Sequence, residues 1–274
     1  MNVRKSFLSL ILMGMFFSMV YFVYAAYVIQ SEEVLTCTDS DGTQNFAASG
    51  NVMGLNITNG SYFYTDRCVS STVASDWSCV LRGSGKLYAV EYGQNCGSGN
   101  ICVSGQCVTP KRVFVTNATY SGNLGGLAGG DSICNQTAAN ANLGGEWVAW
   151  LSINIQSNVT NSTVVHAKDR IPDSAYVRLD GVTVADNKAD LTDGTIQSPI
   201  NISELGTVVS GINWYTPGVF TGTNQSGMAT GSDCSAWTNM TTFGTYGSHD
   251  ITNSLWTNIG PSSCTQRRLY CFEK

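Results

Sequence analysis

Charge is scarce in this chain. Only 12% of its 274 residues are Asp, Glu, Lys or Arg, against roughly 25% in an ordinary globular protein. Glu, Lys and Arg are too few to fill the flanking positions of a coiled coil. No run of Lys or Arg exceeds two residues and the formal net charge is −5. The surface that would neutralise phosphates is therefore missing, and no nucleic acid is expected as a partner. Proline numbers only 5 and histidine only 2. Disorder is excluded all the same, because hydrophobic residues reach 43% and aromatics 10%.

The missing histidines also limit the chemistry. His166 and His249 stand far apart and C-x-x-C is absent, so zinc ligation is not expected. Ser248-His249-Asp250 is contiguous, which suits a catalytic triad poorly. No G-x-S-x-G occurs, and Gly83-Ser84-Gly85-Lys86 lacks the spacing of a phosphate-binding loop. Distances between carboxylates cannot be read from sequence, so a glycosidase pair stays open. The expectation is a protein that is not an enzyme, with no cofactor and no metal. Asp39-Ser40-Asp41-Gly42 could supply calcium oxygens, but an Asx turn is the simpler reading.

The N-terminus is rich in what the rest lacks. Arg4 and Lys5 precede an uncharged run from Ser6 to Ile29. At about 1.5 Å per residue it reaches roughly 36 Å as a helix, enough to span a bilayer. Val23-Tyr24-Ala25 before Ala26 also reads as a cleavage site. Residues 1–29 are thus a signal peptide or a retained membrane anchor, an N-terminal hydrophobic helix on either reading. Both put the remainder outside the cell. Ten cysteines agree: Cys37, Cys68, Cys79, Cys96, Cys102, Cys107, Cys134, Cys234, Cys264 and Cys271. An even number in an exported chain reads as disulfides.

The chain has 22 Asn, 30 Ser and 27 Thr, and nine N-x-[ST] sequons where chance predicts about five. Asn56, Asn59, Asn117, Asn158, Asn161, Asn201, Asn224 and Asn239 are the glycosylation candidates. Asn135, crowded by Cys134, is the ninth.

Two regions follow the hydrophobic run. Residues 30–110 hold six cysteines, many Gly and Ser, and few candidate strands, among them Lys86–Tyr92. With so little core the region is expected to be a small module stapled by disulfides, whose six cysteines allow 15 pairings. Thr109-Pro110 marks a boundary. Residues 111–274 form one domain. Arg112–Thr116 and Arg268–Phe272 read as strands, Leu127–Asn142 as a helix, and Trp147–Leu151 as a buried strand. Thr207–Ser210 reads as a further short strand. Asp131 is assigned to the positive end of the helix, and Asn142 with Gly144-Gly145 to its stop.

Residues in this second region carry a resemblance. Ser121 to Asp131 (SGNLGGLAGGD), Cys134, and Leu143 to Ser152 (LGGEWVAWLS) resemble the opening of the endostatin domain of collagens. They resemble still more an endostatin-like family of microbial exported proteins, within the C-type-lectin-like superfamily. Gly218–Gly222, Cys234 with Trp237, and Trp256-Thr257-Asn258 with Cys264 and Leu269-Tyr270-Cys271 fit later segments of the same pattern.

The resemblance implies an α+β fold for 111–274, with Cys134 paired to Cys271 and Cys234 to Cys264. It implies a lectin-like binding surface, although the calcium-dependent sugar tripeptide is absent and Asn258 stands where an Asp would be. Asn213, Trp214 and Tyr215, in the loop-rich stretch 211–260, offer an aromatic face beside amides that suits a sugar ring. With Asn258 they are the candidate ligand residues. The resulting expectation is an extracellular or cell-surface binding or adhesion protein that recognises glycan or protein, held to the membrane if the N-terminal helix is uncleaved. A structural envelope glycoprotein without a small ligand is the alternative.

Overall fold

The computed structural model describes residues 26–156, 162–209 and 218–274. The first strand, β1 (Tyr27–Asp39), begins inside the hydrophobic run. It is followed by β2 (Asn51–Asn56), β3 (Ser61–Thr65), β4 (Arg67–Ser70), β5 (Val73–Leu81) and β6 (Leu87–Asn95). They form one antiparallel sheet in the order β3-β2-β1-β6-β5-β4. Two three-stranded meanders are therefore joined edge to edge along β1 and β6. Both faces of β5 are covered over most of its length.

The sheet curls, so that Tyr64 on β3 stacks on Trp77 of β5 with ring centroids 4.1 Å apart. Val34, Val52, Trp77 and Ala89 make a small core beneath. Cys37–Cys79 ties β1 to β5, Cys68–Cys102 ties β4 to the segment that follows, and Cys96–Cys107 closes that segment.

That segment is a hairpin, β7 (Ile101–Val103) and β8 (Gln106–Val108). Ser104 and Gly105 both have positive φ, as a two-residue turn matched to strand twist requires. Ile101, Val103 and Val108 pack on Ala175 and Val177 of the second region.

The second region opens with β9 (Lys111–Val115) and α1 (Gly126–Asn140). Then come β10 (Trp147–Ala149), β11 (Ile153–Gln156), β12 (Ser162–Val165), β13 (Tyr176–Arg178), β14 (Thr183–Ala185) and the single turn α2 (Lys188–Leu191). β15 (Val219–Phe220), β16 (Phe243–Gly247), β17 (Gly260–Ser263) and β18 (Arg268–Glu273) complete it. Eight strands form a mixed sheet, ordered β14-β13-β9-β18-β15-β16-β17, with β10 also on β18. Four tryptophans, Trp147, Trp150, Trp237 and Trp256, are fully buried with Tyr176, Tyr270, Phe114, Phe220 and Phe272. Cys134 on α1 is bonded to Cys271 on β18, and Cys234 to Cys264, the pairs that the resemblance implies.

These observations correct the expected fold class. In place of an α+β lectin-like domain behind a small cysteine-stapled module, the chain is mostly β-sheet, 42% strand against 13% helix, in several sheets. The physical reason lies in short ladders rich in Ser, Thr and Gly, such as β16 with β17, which pair without hydrophobic alternation. The N-terminal region, read as poor in strands, is a six-stranded sheet. The expected N-terminal helix lies mostly outside the described residues, and its last residues, 27–29, belong to β1. Among the described residues no helix is long and apolar enough to cross a membrane. Of the expected strand Thr207–Ser210, Ser210 lies outside the described residues and Val208 forms an isolated bridge to Ile202. Asp131 is not in the first turn of α1. Its carboxylate instead accepts from Arg170 and from Ala149 N–H, pinning the helix to β10.

One local feature departs from ordinary geometry. Cys234, Ser235, Ala236 and Trp237 all have φ between 53° and 63°, a left-handed turn of four residues with side chains. Each such residue costs roughly 1–2 kcal/mol. The turn is held by the Cys234–Cys264 bond, by Asp233 accepting from Ala236 N–H, and by Trp237, whose indole N–H donates to Ser152 O. The Trp237 carbonyl also accepts from Leu124 and Gly125 N–H, setting the start of α1. Ser235 is exposed. Ser235→Gly is therefore expected to raise stability by about 1 kcal/mol, because glycine removes the Cβ clash. A lower denaturation midpoint would contradict a left-handed turn.

Candidate functional site

After β1 the chain turns on Asp39, whose Oδ1 accepts from the backbone N–H of Asp41 and Gly42. This is the Asx turn read from the sequence. It also carries the Asp41 side chain back over the sheet, where it meets Asp66 and Asp76. One carboxylate oxygen from each of these three lies within 4.8 Å of the other two. Asp66 sits between β3 and β4, and Asp76 in the middle of β5. Both are buried, at 5% and 1% exposure.

The loop between β1 and β2 wraps this cluster with backbone donors. Gln44 and Asn45 N–H donate to Asp76 at 3.0 and 3.1 Å, and Ser78 Oγ–H donates to it as well. Gly50 N–H donates to Asp66 at 2.6 Å, and Trp77 N–H at 2.8 Å. Glycine at 50 lets Asp41 lie in the cluster, since a Cβ there would fall 1.8 Å from Asp41 Oδ1 and displace its carboxylate. Both Asp41 oxygens, and Oδ2 of Asp39, are buried and accept no hydrogen bond. Among the described residues no Lys or Arg pairs with Asp39, Asp41, Asp66 or Asp76.

Burial, opposed by hydrogen bonds and reinforced by the neighbouring carboxylates, pushes Asp76 up to about 6. Asp66 and Asp41 are raised too, by burial first and then by like charge. Each holds its proton more tightly folded than unfolded. Their contribution to stability therefore falls as pH rises from the unfolded value of 3.8 through about 6. His249 acts oppositely: its burial lowers its pKa, so its contribution improves as pH rises through 6.5. Comparison of the native chain with Asp41→Asn isolates the cluster. In chelator, the variant should lose less stability between pH 5 and 7 than the native chain. Equal slopes would show that the carboxylates do not repel.

The residues singled out in the sequence are distributed differently. Asn213, Trp214 and Tyr215 lie outside the described residues, as do Asn158 and Asn161. Asn258 is half-buried, with its N–H on Ser254 O. His166 Nδ1 accepts from Ala229 N–H at 3.0 Å, and buried His249 bonds Asp250 at 2.9 Å. The turn α2 is capped by Asn187, whose Oδ1 accepts from Asp190 N–H. All ten cysteines are paired. Asp66 and Asp76 were not singled out by sequence. Their signal is an acidic residue at an inward position, as in Val73-Ala-Ser-Asp-Trp-Ser-Cys-Val80.

A cleft of about 650 Å³ lies where the hairpin meets the second region, lined by Asn100, Ile101, Thr109, Arg112, Arg178 and Glu273 among others. Its cations are already engaged, Arg112 with Glu273, Arg178 with Asp180 and Lys111 with the Lys274 carbonyl. A family model described as protein of unknown function (DUF1554) matches residues 117–255, from the loop after β9 to the approach to β17. The acidic cluster lies outside that match. No curated protein matches the chain.

Proposed function

The chain belongs to the DUF1554 family, and from that premise we propose that it is an exported binding or adhesion protein recognising glycan or protein outside the cell. The observation that carries the reading is the closed cysteine set. Five disulfides consume all ten thiols, a state that persists in an oxidising compartment. No thiol remains for nucleophilic work. Recognition is assigned to the 211–260 loops that carry Asn213, Trp214, Tyr215 and Asn258.

The test is a screen of the full-length oxidised chain on arrays of glycans and extracellular proteins. Specific binding that is lost on Trp214→Ala or Asn258→Ala supports the reading. A blank screen with a folded chain moves the assignment to a structural envelope glycoprotein.

Sequon geometry favours that second reading. Asn56, Asn224 and Asn239 each accept through Oδ1 from the backbone N–H two residues on. Their Nδ2 atoms, where a glycan would be attached, make no bond among the described residues. Asn135 differs: its Nδ2 donates to Asp131 O and Trp147 O, and its Oδ1 accepts from Trp147 N–H. Glycopeptide mapping of the exported chain is expected to find modification at Asn56, Asn224 and Asn239 and none at Asn135. Occupancy at Asn135 would mean that the glycan is added before this part folds.

A further inference from the structure

We propose that Asp41, Asp66 and Asp76, with Asp39 beside them, form a binding site for a hard divalent cation, calcium. The site is independent of the recognition function above and lies in a different sheet. Four carboxylates gathered from three chain segments carry up to four negative charges, and among the described residues no cationic side chain answers them. Such a set is strongly unfavourable in a protein interior unless a proton or a cation joins it. The hydrogen-bond pattern separates these two possibilities. Asp66 and Asp76 are held by backbone donors that fix their orientation and suit the ionised form. The oxygens left over, both of Asp41 and Oδ2 of Asp39, are shut off from solvent and accept nothing. They are the acceptors that a cation at the centre would satisfy.

The donor set selects the ion. Every candidate ligand is a carboxylate oxygen, and the cysteines of this sheet are locked in disulfides, so zinc and copper have no soft or imidazole donor here. Three carboxylate oxygens within 4.8 Å of one another can share a cation at the 2.3–2.6 Å typical of calcium–oxygen bonds. Magnesium dehydrates reluctantly and is seldom held by a dedicated cage of protein oxygens, whereas calcium accepts a flexible set of carboxylates completed by carbonyls or water. Gly50 completes the argument, because any side chain there would expel Asp41 from the cluster. The ion would clamp the loop after β1 onto both meanders: Asp39 and Asp41 precede β2, and Asp66 and Asp76 belong to the β3–β4 junction and β5.

The test uses the full oxidised chain, stripped with chelator and titrated with calcium alone or magnesium alone. Thermal unfolding and terbium luminescence sensitised by the adjacent Trp77 are the readouts. Saturating calcium is expected to raise the unfolding midpoint by at least about 5 °C and to displace terbium. Asp41→Asn has a distinctive expected signature. In chelator it should be at least as stable as the native chain, because a repulsive charge is gone, while its calcium response disappears. Gly50→Ala should also lose the response. No calcium shift and no terbium signal in the native chain would overturn the site. So would Asp41→Asn or Gly50→Ala responding like the native chain. An equal shift with magnesium would overturn the assignment to calcium.

Discussion

Replacing Cys134 and Cys271 together by alanine should cost about 5 kcal/mol, more than the loss of any other bridge. The bond joins residues 137 apart in sequence. In the chain-entropy account, closing a loop of that length restrains the unfolded state by roughly 5 kcal/mol, and one of 11 residues by roughly 3. Cys96–Cys107 closes just such a short loop, so the Cys96→Ala/Cys107→Ala variant is the internal control. Guanidinium unfolding of both double variants should order them in this way. The difference in packing acts in the same direction: Cys134 and Cys271 are fully buried, whereas Cys96 keeps 8% exposure. If the two variants are equally stable, loop length does not control the effect of these bonds.

Trp237→Ala should cost about 4 kcal/mol. Burial of a tryptophan is worth roughly 3–5 kcal/mol in large-to-small series, and Trp237 is fully buried against Phe220. Its indole N–H is the donor for Ser152 O, which the variant leaves short of a partner. It also anchors one end of the left-handed turn, so the variant lets residues 234–236 relax out of a strained conformation. That relaxation moves the carbonyl that receives Leu124 and Gly125 N–H. Hydrogen exchange should accordingly show faster opening at the start of α1. Protection unchanged at Leu124 and Gly125 would show that the turn keeps its shape without the indole.

Parts of the fold were legible because they carry a strong local pattern. Leu127–Asn142 has helical spacing and a stop, and α1 occupies 126–140 with Asn142 at φ 57°. Arg112–Thr116 and Arg268–Phe272 carry apolar runs and became the central pair β9 and β18. Trp147 and Trp150 read as core, and both are buried.

The overall class was not legible. β1 runs Tyr27–Asp39 with only Val34 buried, so no alternation announces a strand. Its first residues are also apolar enough to merge into the preceding hydrophobic run. The acidic cluster was half legible. Asp39 and Asp41 stood out as a turn, but their partners are 25 and 35 residues beyond Asp41, and only the curl of the sheet joins them. No local periodicity encodes that approach.

The order of strands also governs when the chain can fold. β9 and β18, neighbours at the centre of the second sheet, are its first and last strands. Their pairing cannot begin until the final residues have emerged, and contacts that distant in sequence form slowly. The sheet of 27–95 is complete once β6 has emerged, before β9 begins, and faces no such delay. As the chain is made, Cys37–Cys79 and Cys96–Cys107 can be sealed while Cys134 still waits as a thiol for Cys271. Oxidation that outruns synthesis would trap Cys134 with the wrong partner. Of the five native bonds, the one that joins helix to final strand is therefore the last that the order of synthesis lets form.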